Sequence, residues 1–131
     1  MSSAQTRWIA RLDALFLIAI GGFAGATIRF LALSSLPEVA AIVLVNTAGS
    51  TILAFLLYTA RGAGGLDRTT RLLIATGFLS SLTTYSTFAL QTALADSPGE
   101  LLAVIAGNYV LAVLGAVVGR AVALRLRGGR S

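Results

Sequence analysis

Residues 77–88 read Gly77-Phe78-Leu79-Ser80-Ser81-Leu82-Thr83-Thr84-Tyr85-Ser86-Thr87-Phe88, and six of the eight from Ser80 to Thr87 are Ser or Thr. The stretch lies inside a run without charge from Leu72 to Ala95, long enough to cross a bilayer as a helix. Hydroxyls at that depth can replace backbone hydrogen bonds, so they permit the helix to break where the opened backbone is buried in protein or faces water. The competing reading is an unbroken helix whose hydroxyls bond back to the preceding turn. At a break, freed carbonyls can hold a hard monovalent cation, and freed N–H and hydroxyl groups can hold an anion. Tyr85 and Phe88 are three apart, so they share a face if helix resumes there. Their electropositive edges would offer an anion weak contacts, and the same pair can equally be packing.

The rest of the chain supplies the setting. Of 131 residues, 56% are apolar and 11% charged, and mean hydropathy is +0.88. Soluble domains carry about 25% charged residues, so the composition is that of an integral membrane protein. Charges divide it into four apolar runs of spanning length: 14–33, interrupted by Arg29; 39–60; 72–95; and 101–124, interrupted by Arg120. Residues 1–131 therefore read as a single all-α domain of four transmembrane helices. The segment before the first run carries Arg7 and Arg11 and resembles the start of a signal peptide, but the run is long and shows no cleavage pattern, so it is read as a retained helix. The connections are short: Ser34 to Glu38, Arg61 to Arg71 with Gly62, Gly64 and Gly65, and Asp96 to Glu100.

The basic surplus is +5, and all ten cations are arginine. In a soluble protein that surplus would suggest nucleic acid; here the arginines cluster at the ends of apolar runs, which points to lipid headgroups and topology. With four spans, Arg7, Arg11, Arg61, Arg68, Arg71, Arg125, Arg127 and Arg130 fall on one side with Arg120 beside them, and Glu38, Asp96 and Glu100 on the other. The positive-inside rule then places both termini in the cytoplasm of a plasma (cell inner) membrane. The absence of Cys and His, with only five carboxylates, leaves little for acid–base or transition-metal chemistry. An enzyme is not expected.

Polar and small residues inside the spans narrow the function. Gly21, Gly22 and Gly25 in the first helix, and Gly115 and Gly119 in the fourth, form faces that let helix backbones approach. Arg29 sits one turn from a helix end, where it can snorkel or tie down a neighbouring loop. Asn46, with Gly49 one turn later, must satisfy two donors and an acceptor; it either glues helices or lines a polar path.

Taken in order, Gly21-Gly-Phe-Ala-Gly-Ala-Thr-Ile-Arg29-Phe30, Asn46-Thr-Ala-Gly49 and Thr83-Thr-Tyr-Ser-Thr-Phe88 resemble the CrcB/Fluc family of small fluoride channels over nearly the whole chain. The resemblance implies an antiparallel dimer of four-helix subunits with the third helix broken at its centre, two fluoride pathways along the interface, and a structural sodium ion on the two-fold axis. It assigns the sodium to backbone carbonyls of Ser80 and Thr83. The fluoride pathway falls to Asn46, Thr84, Tyr85, Ser86, Thr87, Phe88 and Tyr109, and structural roles to Gly22, Gly25, Arg29 and Gly49. It also implies passive release of cytoplasmic fluoride, conferring resistance, with no ATP site.

The chain departs from the family pattern at several places. Ser80-Ser81 stands where members usually have Gly-Gly, Tyr85 where they have Phe, Gln91 where glutamate is frequent, and Val113 and Val117 where polar side chains are expected. The departures at Ser80, Ser81 and Val113 support a second reading, a structural partner subunit of a heteromeric fluoride channel with little or no conduction of its own. The arginine bias adds that an antiparallel partner would be an oppositely biased homologue, or else a second copy. A third reading, a small four-helix proton-coupled drug exporter, needs a carboxylate in mid-membrane, and Asp13, Glu38, Asp67, Asp96 and Glu100 all lie outside.

Overall fold

The computed structural model describes residues 3–61 and 64–129; Gly62 and Arg130, which entered the loop and charge readings, lie outside the described residues. Helices are α1 (Ser3–Ser35), α2 (Glu38–Ala60), α3 (Arg68–Thr70), α4 (Arg71–Leu79), α5 (Ser80–Leu82), α6 (Ser86–Ala93) and α7 (Pro98–Gly128). There is no strand among the described residues. The segments α3 to α6 make up the third of four apolar helical spans, Arg7–Ser35, Glu38–Ala60, Arg68–Ala93 and Pro98–Gly128. Each exceeds the roughly 20 residues needed to cross hydrocarbon.

Local chemistry sets the ends. Pro37 disfavours helix for the residue before it, so α1 closes with Leu36 N–H donating to the Ala32 carbonyl at 3.0 Å, and α2 begins at Glu38. Asp67 caps α3 by accepting from the Thr70 N–H at 3.0 Å. Ser97 caps α7 by accepting from the Glu100 N–H at 3.1 Å, with Pro98 in the first turn, and Glu100 in turn accepts from the Asp96 N–H at 3.0 Å. The Asp67 and Ser97 bonds satisfy donors that a helix start leaves open, and Glu100 ties the residue before the cap to the first turn. One feature outside the sequence reading is α4, wound as a π-helix over nine residues, a rare form often found at functional sites.

Two glycine-faced helix pairs build the bundle. A Cβ on Gly21 or Gly25 of α1 would strike the backbone carbonyls of Leu73 and Phe78, and one on Gly77 would come within 2.6 Å of the Ile18 carbonyl. Likewise a Cβ on Gly119 of α7 would strike the Thr51 carbonyl of α2, and one on Gly115 would lie 2.9 Å from that of Thr47. Residue numbers rise together in both pairs, so α1 runs parallel to the third span and α2 parallel to α7. The start of α1 and the end of α7 consequently share one end of the bundle. Where lipid tails are as apolar as the side chains, such close backbone contact is a principal source of cohesion.

Two apolar clusters lie on either side of the third span's interruption. Ile42, Phe88 and Val104 form one; Val45, Leu79 and Leu82 form the other. Both draw a residue from α2, which holds the two halves in register. Large apolar side chains elsewhere are turned outward, with Phe16 68% and Phe23 78% exposed, as a surface facing lipid requires.

Candidate functional site at the interrupted third span

The helix stops after Leu82 and starts again at Ser86. Thr83 is extended, with φ −78° and ψ 157°. Hydroxyl back-bonds prepare the stop: Ser80 Oγ donates to the Thr76 carbonyl, and Thr83 Oγ1 to the Leu79 carbonyl at 2.9 Å. Such bonds loosen and bend a helix.

Asn46 of α2 takes over the broken backbone. Its Oδ1 accepts the Thr84 N–H at 2.9 Å, and its Nδ2 donates to the Thr84 carbonyl at 3.1 Å. The second Nδ2 hydrogen goes to Asn108 Oδ1 of α7 at 2.9 Å, while Asn108 Nδ2 donates to its own helix at the Val104 carbonyl, 2.9 Å. Because the Thr84 N–H can only donate and the Val104 carbonyl can only accept, these contacts fix which way both amides face. Asn46 therefore spends both amide hydrogens inside the chain. Asn108 was not singled out by the sequence reading, although an amide in an apolar span is the signal that marked Asn46.

Thr84 is the hub of the interruption and is 9% exposed. Its Oγ1 accepts the Thr87 N–H at 3.3 Å, capping the new helix, and lies 3.2 Å from Thr87 Oγ1 and 3.3 Å from Ser86 Oγ. Next to these hydroxyls runs a row of rings. Tyr85 and Phe88 have centroids 5.7 Å apart, and Phe88 meets Tyr109 edge-on at 5.8 Å. Phe88 in the middle is buried, whereas Tyr85 is 75% and Tyr109 59% exposed. A groove of about 490 Å³ runs past Asn46, Ser80, Thr83, Thr84, Phe88 and Tyr109. Gly49 belongs to its wall, where a Cβ would strike the Thr83 methyl. Gly22 stands off from the tight α1 contacts: a Cβ there would meet Ser81 Oγ at 3.3 Å.

The interruption also bears on cation binding. In a continuous helix the Thr84 and Thr87 amides would pair with the carbonyls of Ser80 and Thr83; both donate to side chains instead. Two hard oxygen donors are thereby released from the helix, which suits a monovalent cation. Ser80 keeps right-handed helical angles, φ −68° and ψ −24°, and among the described residues positive φ occurs only at Gly64 and Gly65. Serine thus meets no backbone obstacle where glycine is usual. Arg29 Nη1 donates to the Thr83 carbonyl at 3.4 Å, so one of the two oxygens already faces a positive charge.

The other departures have definite places. Gln91 is buried with neither amide atom hydrogen-bonded and lines a second cavity of about 230 Å³ with Glu38 and Glu100. Val113 and Val117 are 61% and 54% exposed.

Known proteins resemble the chain over most of its length. Residues 16–123 match the family model described as CrcB-like protein, Camphor Resistance (CrcB). The chain is 38% identical to fluoride-specific ion channel FluC 1 of Haloarcula marismortui, over 96% of this chain and 98% of that one. It is 39% identical to FluC 2 of Halobacterium salinarum, over 92% and 95%, and 40% identical to FluC 1 of Natronomonas pharaonis, over 83% and 92%.

Proposed function

The chain belongs to the CrcB-like family, and we propose that it is a subunit of a fluoride-selective channel, not an enzyme, that lets fluoride leave the cytoplasm passively and so confers fluoride resistance. The observation that carries the reading is the meeting of hydroxyls, aromatic edges and a helix start at the interrupted third span. Groups along a path must replace the ion's hydration shell. Thr84, Ser86 and Thr87 supply rotatable hydroxyls, and the edges of Tyr85, Phe88 and Tyr109 supply weak electropositive contacts. The start of α6 adds partial positive charge. None of these groups holds the anion tightly, which is what passage requires. Asn46 acts through Thr84: with its hydrogens committed, it holds the hydroxyl-bearing backbone in place. Fixed charge at Arg29, beside Thr83, biases the groove toward anions.

The groove is open along one side, since Tyr85 and Tyr109 are exposed, and a polar path through hydrocarbon needs a second wall. We assign that wall to a second subunit in an antiparallel dimer, either another copy or, given the arginine bias, an oppositely biased homologue. In this assembly the Ser80 and Thr83 carbonyls of both subunits would hold a sodium ion on the two-fold axis. When bound, the ion would cross-link the two interruptions electrostatically; Ser80 and Thr83 orient the carbonyls and Arg29 weakens the Thr83 donor. The setting is a plasma membrane with both termini cytoplasmic.

Fluoride efflux from proteoliposomes tests the proposal, with the chain reconstituted alone and with an oppositely biased homologue. Rapid fluoride release with chloride retained is expected. No release in either case would overturn it.

A further inference from the structure

Three arginines gather around one tyrosine at the far end of the α2–α7 pair. The guanidinium carbon of Arg61 stands 4.3 Å from the Tyr58 ring centroid, and that of Arg120 stands 5.4 Å away. Arg127 Nη1 donates to the Tyr58 carbonyl at 3.2 Å, covering one of the carbonyls left open in the last turn of α2. The two guanidiniums near the ring are therefore within about 10 Å of one another, roughly one Debye length, and repel. The one ion pair among the described residues, Arg68 with Asp13, does not involve them. The remaining carboxylate near this end, Asp67, is engaged by Thr70.

We propose that Tyr58, Arg61, Arg120 and Arg127 form a binding site for a phosphate oxyanion, the phosphodiester of an anionic membrane lipid or free phosphate. A guanidinium held over a ring by its charge keeps N–H groups of its donor fork free for an oxyanion. Phosphate takes that fork in bidentate fashion, and arginine suits it better than lysine. Depth favours the lipid. Arg120 lies four residues, about 6 Å of helix rise, inside the end of the apolar run at Leu124, beside a tyrosine of the kind that sits at headgroup level. A lipid phosphate is held at that level in every leaflet, whereas a dissolved anion must be drawn from bulk solution. The cluster lies twelve residues along α2 from Asn46, about 18 Å of rise, so its occupancy can be read apart from fluoride passage.

The test is native mass spectrometry of the whole chain after incubation in detergent with equal phosphatidylglycerol and phosphatidylcholine, paired with thermal unfolding in each lipid and in inorganic phosphate. Preferential retention of phosphatidylglycerol is expected. Arg61→Gln with Arg120→Gln should lower that preference about tenfold, the scale of losing charge-assisted bonds. Tyr58→Leu, which keeps every charge, should lower it too. Arg7→Gln with Arg11→Gln removes the same charge elsewhere at this membrane side and should lower it by much less. If the paired variant fails to fold, Arg61→Gln alone, at an exposed position beyond α2, carries the comparison. Stabilisation by inorganic phosphate without lipid preference, lost in the same variants, would keep the site and assign it to a free anion. Equal loss in the Arg7 and Arg11 variant, or neither lipid preference nor phosphate stabilisation in the wild type, would overturn it.

Discussion

Asn46 shows how a single amide can replace a stretch of helix. It returns to Thr84 the donor and the acceptor that the interruption removes, and Asn108 takes its spare hydrogen. Removing Asn108 leaves that hydrogen unpaired in an apolar interior, at a cost of about 1–3 kcal/mol. Asn108→Leu should therefore lower thermal stability and slow fluoride efflux. Asn46→Asp should be worse, because it loses both donated bonds and brings a negative charge beside the anion path. Efflux and unfolding measured on the same preparations check this; wild-type behaviour in both variants would show that the amide pair does not support the interruption. The sequence exposed Asn46 because an amide in a span needs partners. It could not show that those partners were Thr84 and Asn108, since its hydrogen bonds reach 38 and 62 positions along the chain.

Elements here are held by caps and by glycine contacts, and each can be tested separately. A Cβ at Gly25 meets backbone that cannot yield, whereas one at Gly22 meets a serine hydroxyl that can rotate. Gly25→Ala should cost about 1–3 kcal/mol by overpacking and Gly22→Ala less; equal thermal unfolding of the two variants would contradict this division. The glycine spacing announced both as one packing face, and only the facing helix separates them. At the start of α3, the Asp67 carboxyl is held below its ordinary value of 3.8 by the Thr70 hydroxyl first and the Thr70 N–H second. A depressed carboxyl contributes stability that is fully present above the unfolded-state value and is lost as pH falls through the folded one. The wild type should thus lose its advantage over Asp67→Ala as pH falls below 3.8 and on through the lower folded-state value, seen as converging unfolding midpoints. A gap that persists below that window would exclude the cap as its source. The hydroxyl run from Ser80 to Thr87 marked where the third span is interrupted, but nothing in its composition announced the π-winding of α4.

For the molecule as a whole, charge and exposure together bear on orientation and partnership. The described arginines of the first segment, the second connection and the C-terminal helix lie at one end of the bundle because α1 starts there and α7, parallel to α2, ends there. A chain so biased should insert almost entirely one way. Paired reporter fusions at the C-terminus, one active in the cytoplasm and one outside it, are expected to give a single strong signal. Equal signals would favour a dimer of identical chains. The amino-acid sequence by itself determined the four spans and their charge bias, because transfer into hydrocarbon and attraction to headgroups act on each residue according to its own chemistry and its place along the chain. Tertiary structure alone decided which carbonyls lose their helical partners, which glycines touch backbone, and which side of the aromatic row stays open. Those depend on the register of helices distant in sequence, where a shift of one residue carries a side chain about 100° around the helix axis.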